Sequence, residues 1–187
     1  MNSYRINTNY AKAMLMLAIE SGDGLIDRAA DDMRLVESVC AENRQLNVVF
    51  ANPVVRNDKK VAIVQELFGG KVDTATLAFL VFVTRKNRTI NLRGIASAYL
   101  SMYRDHKGIV LSDLVTQEPI DETARRMVTD IVHEYTGKTV ELHDRTDAKM
   151  LGGFKLEFDN KMYDARIRTK IRKLRNEFAK NIYESKL

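Results

Sequence analysis

The amino-acid sequence predicts a mainly α fold, with an N-terminal six-helix bundle over residues 1–106 and a small α+β domain over residues 107–187. Three observations support this prediction. Apolar residues recur at helical spacing up to about residue 106, they alternate as in strands in several later segments, and they return to helical spacing in a basic terminal segment. A length of 187 residues accommodates two small domains.

The bundle begins with a predicted helix from Tyr4 to about Ser21 that has two neighbouring apolar stripes. The stripes consist of Tyr10, Ala13, Met14 and Leu17 and of Ala11, Leu15 and Ala18. A helix that is apolar on both sides must bury both of them, so this helix has more apolar surface than one core needs. The second helix, over about residues 24–43, has a single stripe and is amphipathic in the ordinary way.

Boundary signals define the later helices of the bundle. One helix is predicted to be capped by Asp58 and to end at Gly69-Gly70, because glycine adopts a left-handed terminal conformation readily. The segment TATLAFLVFVTR follows the predicted cap Asp73 and is again apolar all round; we count it as the fifth helix. The last bundle helix ends near Gly108. Helix one and helix five could be central core helices, or they could form a groove for a partner helix.

The pattern changes after residue 108. A β-branched segment over residues 109–119 predicts a strand, and Asp121 is predicted to cap a helix that ends at Gly137. One face of that helix carries Ala124, Met127, Val128, Ile131 and Tyr135. The segment TVELHD predicts a short strand with Val140 and Leu142 on one side.

The end of the chain predicts a hairpin and a basic helix. Phe154, Leu156 and Phe158 alternate as in a strand, and Asp159-Asn160 is typical of a tight turn. Asp164 is predicted to cap the terminal helix, whose apolar seam consists of Ile167, Ile171, Leu174, Phe178 and Ile182.

The basic character of the chain belongs to its terminal segment. Residues 165–187 hold eight lysines and arginines and two acids, so the remaining residues contribute −1 to the net charge of +5. A basic helical face could bind nucleic-acid phosphates or an acidic partner helix. Aromatic residues that could stack on bases are sparse there, which favours a solvated face or an acidic partner helix over nucleic acid. A basic helical nucleic-acid-binding protein is therefore kept only as the alternative function.

No group of residues in the sequence predicts catalysis. Gly70-Lys71 is followed by Val72 where a phosphate-binding loop needs serine or threonine, and the three histidines are scattered over separate elements. No cysteine or histidine spacing is typical of zinc, and Cys40 is predicted to be a buried, inert thiol. We therefore predict no catalytic residue, no cofactor and no metal.

Three further features exclude classes of protein. The glycine pair Gly152-Gly153 is followed by a strand pattern and not by a helix, so it does not fit a dinucleotide-binding loop, and we interpret it as a bulge or close backbone approach. The longest apolar run, residues 77–83, is far shorter than the roughly 20 residues of a membrane-spanning helix. The first residues lack the apolar core of a secretory signal, which predicts a cytosol-like compartment.

The order of elements and several local strings resemble the ATP synthase delta subunit, or oligomycin-sensitivity-conferring protein, family in its bacterial type. The resemblance covers nearly the whole chain. Its motifs are the YAKA string at residues 10–13, Pro53 followed by Lys59 and Lys60, Arg88 before Leu92, and MLGGFKLEFDNKMYDARIRTKIRKL at residues 150–174. This chain departs from the family pattern at Arg166, where many relatives have a small residue or serine.

The resemblance implies a mechanical function. It implies a non-catalytic peripheral-stalk, or stator, subunit that binds an N-terminal helix of an alpha subunit with its bundle and the ends of the b subunits with its C-terminal domain. It places the protein at the cytoplasmic face of the bacterial inner membrane, held there through the complex. The implied groove consists of Tyr10, Ala13, Met14, Leu17, Phe79, Phe82 and Val83, and the implied structural residues are Gly152, Gly153 and Asp164.

Overall fold

The computed structural model describes residues 3–181, which divide into two compact units between His106 and Lys107. The first unit contains the helices α1 (Ser3–Ser21), α2 (Asp23–Glu42), α3 (Arg44–Ala51), α4 (Asn57–Phe68), α5 (Thr74–Arg85) and α6 (Leu92–Lys107), with a 3₁₀ turn at Thr89–Asn91. The second contains β1 (Ile109–Thr116), α7 (Glu122–Thr136), β2 (Thr139–Thr146), β3 (Phe154–Phe158), β4 (Lys161–Asp164) and α8 (Ile167–Asn181). The mainly α fold with a small α+β part is confirmed.

The first unit has a core to which most of its helices contribute. Its largest fully buried side chains are Met14, Ile26, Met33, Val36, Val64, Phe68, Leu80, Val83, Leu92, Ile95 and Tyr99. The hydroxyl of Tyr99 donates to the carbonyl of Ile26 at 3.3 Å, which joins α6 to α2 inside the core. Burial is the main cause that raises the pKa of Tyr99 to about 12, so this hydroxyl stays protonated and can donate.

The short helix α3 has no clear signal in the sequence. It has eight residues and a single buried side chain, Phe50, so its apolar periodicity is too brief to detect. The tertiary structure stabilises its end, because the buried ammonium of Lys60 donates to the carbonyl of Phe50 at 2.8 Å. A cation at this position also complements the negative end of the helix dipole.

Two of the three aspartates predicted to cap α4, α5 and α7 do so. Asp73 accepts from the backbone N–H of Ala75, and Asp121 accepts from that of Ala124. The prediction for Asp58 is wrong, because α4 begins one residue earlier, at Asn57. Asp58 therefore lies inside the first turn, where its carboxylate pairs with Arg56 at 3.1 Å.

The second unit is a four-stranded mixed sheet in the order β2-β1-β3-β4. Helix α7 connects β1 to β2, which run parallel, while β3 pairs antiparallel with β1 and with β4. The predicted tight turn between β3 and β4 is confirmed, because Asp159 and Asn160 both have positive φ, at 44° and 60°. The core of this unit consists of Val110, Leu114, Val132 and Leu156.

Most of the apolar residues predicted to share one face of α7, and all the described residues of the predicted α8 seam, are exposed. In α7 the buried residue is Val132, while Met127, Ile131 and Tyr135 are exposed. In α8 the described members of the predicted seam, Ile167, Ile171, Leu174 and Phe178, are all exposed. Ile182 lies outside the described residues. Within the described residues, α7 and the sheet form the small core of this unit without α8.

Truncating Leu114 to alanine is expected to destabilise the second unit by about 2–5 kcal/mol, because it empties a fully packed core position. Leu114 is 1% exposed at the centre of β1, between β2 and β3. Urea titration followed by hydrogen exchange of the β1 amides measures the loss. The matched control is Leu111→Ala, since Leu111 lies on the same strand but is only partly buried. Equal losses for the two variants would contradict the core assignment.

Candidate partner-binding groove

An apolar groove of about 520 Å³ lies between α1 and α5. Its lining residues are Asn9, Tyr10, Ala13 and Leu17 from α1 and Ala75, Ala78, Phe79 and Phe82 from α5. All of these except Asn9 are apolar or aromatic. The alanines are small and leave space between the larger side chains, so the groove is open to a side chain from another molecule.

Helical geometry explains why each helix has both a buried face and a groove face. Successive residues rotate by about 100° around a helix axis, so Tyr10, Ala13 and Leu17 fall within an arc of about 60°. The neighbouring arc of α1 carries the buried residues Ala11, Met14 and Ala18. On α5 the groove residues are likewise separate from the buried residues, which are Thr76, Leu80, Val83 and Thr84.

Five of the seven residues expected in the groove line it, and two do not. Met14 and Val83 are wrong as groove residues, because both are fully buried in the bundle core. Each lies on the inner side of its helix, next in angle to the groove arc, so sequence spacing alone did not separate them from it. The groove residues missed from the sequence are Asn9, Ala75 and Ala78. The two alanines could have been found by their helical spacing to Phe79 and Phe82.

The two walls of the groove run antiparallel. The rings of Tyr10 and Phe82 meet at a centroid distance of 6.5 Å. Leu17 lies about 10 Å further along α1 than Tyr10. If α1 and α5 ran parallel, Leu17 would therefore lie beyond Arg85, the last residue of α5. The groove residue at the opposite end of α5 is Ala75. Leu17 and Phe82 remain 43% and 50% exposed, so a large part of their apolar surface lacks a partner among the described residues.

The N-terminus of α5 is held in place beside the groove by a charged network. The backbone N–H of Asp73 donates to the Asp32 carboxylate at 2.9 Å, and the Asp73 carboxylate pairs with Arg28 at 3.2 Å. Asp32 and Arg28 both belong to α2. Helix α2 therefore fixes the position of one groove wall, which favours a groove formed before any partner binds.

The glycine pair of the second unit lies where two backbone segments approach closely. Gly152 and Gly153 have φ values of 114° and 86°, a region that side-chain-bearing residues rarely adopt. A Cβ atom on Gly153 would lie 2.4 Å from the carbonyl oxygen of Ala165. The carbonyl of Gly152 accepts from the N–H of Ile167 at 3.1 Å. The pair thus joins the segment before β3 to the start of α8.

Asp164 organises the same junction, although not as the helix cap that its position suggests. Its carboxylate accepts from the backbone N–H of Arg166 at 3.0 Å, and Arg166 precedes the helix. The guanidinium of Arg166 donates to both carboxylate oxygens, at 2.9 and 2.6 Å, and the hydroxyl of Thr169 donates at 3.0 Å. These hydrogen bonds, led by those from the Arg166 side chain, hold the pKa of Asp164 well below its usual range.

The lowered pKa of Asp164 predicts an acid-sensitive second unit. Because its folded-state pKa is below the unfolded value of 3.8, ionised Asp164 stabilises the fold above that pH. The contribution is lost as the pH falls below 3.8 towards the folded-state pKa. Asp164→Asn is expected to lower the melting temperature of the unit at neutral pH, with the gap to wild type closing at low pH. Thermal unfolding at a series of pH values measures the gap, and a constant gap would contradict the role of ionisation.

Residues 3–181 contain neither a cluster of metal-ligating side chains nor a membrane-spanning helix. No group of three or more histidine, cysteine, aspartate or glutamate residues in this range could hold a metal ion. No helix in the same range is both long enough and apolar enough to span a bilayer.

Comparison with known proteins agrees with this architecture. The family model described as "ATP synthase delta (OSCP) subunit" matches residues 6–178. The chain is 38% identical to the ATP synthase subunit delta of Cytophaga hutchinsonii, over 97% of this chain and 98% of that one. It is 31% identical to the subunit delta of Chlorobium luteolum, over 94% and 96% of the two chains.

A solved structure has the same fold. One chain of the cryo-EM structure of the Toxoplasma gondii mitochondrial ATP synthase hexamer superposes with a TM-score of 0.70 at 18% identity, over 92% of this chain and 97% of that chain. The family match and the relatives confirm the resemblance found in the sequence. The chain belongs to the ATP synthase delta (OSCP) subunit family.

Proposed function

We propose that this protein is a non-catalytic subunit of the peripheral stalk of a bacterial rotary ATP synthase. It links the catalytic head to the b subunits and resists the torque of the rotor. Membership of the delta family supports this proposal. The protein is held at the cytoplasmic face of the inner membrane by its partners in the complex.

The observation that carries the proposal is the preformed groove between α1 and α5. Its apolar residues recur at helical spacing on two antiparallel walls, and its length corresponds to about two turns of helix. Such a groove accepts the apolar face of an amphipathic helix through side chains at positions i, i+3, i+4 and i+7. The proposed occupant is the N-terminal helix of an alpha subunit of the catalytic head.

The second unit supplies the other attachment. Its exposed apolar surfaces on α7 and α8 are suited to bind the ends of the b subunits. A subunit attached through both units would transmit force between the head and the stalk, for which extensive apolar contacts are better suited than a few exposed ion pairs.

Calorimetric titration of the full chain with a synthetic peptide of the alpha N-terminal helix tests the proposal. We expect one peptide to bind per chain, with a negative heat-capacity change from apolar burial. Affinity purification from native membranes should in addition recover alpha and b subunits. Absence of stoichiometric peptide binding would contradict the groove assignment, and absence of both subunits would contradict the stalk function.

A further inference from the structure

Helix α8 packs against almost none of the described second unit. Every residue from 170 to 178 is exposed, although the helix carries a continuous apolar seam. Isolated helices of about 15 residues are marginally stable in water. The described part of the chain therefore does not supply the contacts that this seam needs.

The direction of α8 is set at its first turn. The contacts there are the hydrogen bond from Ile167 N–H to Gly152 and the group formed by Asp164, Arg166 and Thr169. Arg166 donates most of the hydrogen bonds in this group, because its side chain donates to both oxygens of Asp164 and its backbone N–H donates as well. A bidentate contact between a planar guanidinium and a planar carboxylate restricts the relative orientation of the two side chains more than a single ion pair does.

The flanks of α8 indicate the chemistry of its partner. From Ile167 to Phe178 the helix carries five bases and one acid. Lys170 lies on one side of the apolar seam, and Arg168 and Arg175 lie on the other. None of these three forms an ion pair with another residue of the part of the chain that the structure describes. The complementary surface is an amphipathic helix with an apolar stripe and acidic flanks.

We propose that Arg166 is a positioning residue whose paired contact with Asp164 holds α8 in one direction and presents its basic, apolar face as a docking surface for an acidic amphipathic helix. The docking half of this inference rests on the proposed function, since a stalk subunit must hold a partner on its second unit. It does not depend on the groove of the first unit.

The distance between α8 and α7 tests the positioning role directly. Spin labels at Glu134→Cys and Asn176→Cys, in a Cys40→Ser background, place one probe on each helix of the full-length chain. We expect a single narrow distance distribution with Arg166 in place and loss of that narrow peak in Arg166→Met. Arg166→Lys keeps the charge but cannot make the paired contact, so it should give an intermediate width.

The matched control is Arg168→Met, which removes an arginine from the same turn that makes no contact with Asp164. It should leave the distance distribution unchanged. Thermal unfolding of each variant verifies that the sheet remains folded. A narrow distribution in folded Arg166→Met, or equal broadening in both methionine variants, would overturn the positioning role.

A designed peptide tests the docking surface. The probe is a helical peptide with leucine at heptad positions a and d and glutamate at e and g, and its control has lysine at e and g. We expect the glutamate peptide to bind the wild-type chain at least about tenfold more tightly than the lysine peptide. Leu174→Asp, which interrupts the apolar seam, should abolish binding of the glutamate peptide to α8. Binding of the alpha-subunit peptide at the α1–α5 groove should persist in this variant. Equal affinity for the two peptides would overturn the assigned partner chemistry, whatever the groove binds.

Discussion

Replacement of Tyr10 by aspartate is expected to weaken binding of the proposed partner, an alpha-subunit N-terminal helix, by at least about 100-fold. Tyr10 lines the groove and its ring contacts Phe82, so a docked helix would cover both rings. The variant removes an aromatic contact and places a carboxylate where binding of a helix would exclude water. Both effects oppose binding and neither affects the buried arc of α1.

The first unit should stay folded in this variant, because the buried residues of α1, which are Ala11, Met14 and Ala18, are unchanged. Titration calorimetry measures the affinity, and thermal unfolding verifies the fold. The control is Val48→Asp, which introduces the same charge at a 61% exposed apolar position outside the groove lining. Unchanged affinity in Tyr10→Asp, or an equal loss in Val48→Asp, would count against the groove.

Replacement of Gly153 by alanine is expected to destabilise the second unit by at least about 2–3 kcal/mol. Two costs combine. The φ of 86° is unfavourable for alanine, and the new methyl group would lie 2.4 Å from the carbonyl oxygen of Ala165. That oxygen belongs to the backbone, so the clash cannot be relieved by rotating a side chain.

The control for this variant is Gly137→Ala in the same unit. Gly137 has a φ of 67° at the end of α7, but a Cβ atom there would meet nothing within 4 Å. It should therefore show only the conformational cost, about 1 kcal/mol. Urea titration followed by circular dichroism and hydrogen exchange compares the two variants. Similar losses would show that the close approach of the two backbone segments contributes nothing.

Local chemistry made much of this fold predictable from the sequence. Asp73 and Asp121 cap their helices because a short carboxylate side chain reaches the free N–H groups of its own first turn, whatever surrounds it. The Asp159-Asn160 turn follows from the tolerance of these residues for positive φ. The excess apolar surface on α1 and α5 was also visible, because periodicity records the angular position of each side chain on its own helix.

Only the tertiary structure decided which apolar faces are covered. Met14 and Val83 lie beside the groove residues in angle, yet neighbouring helices bury them completely. The seam of α8 has the periodicity of a core helix but is exposed, because the described core of the second unit is formed by α7 and the sheet without it. The physical reason is the same in both cases: amino-acid order sets which residues share a face, whereas burial depends on the neighbours that packing brings against that face.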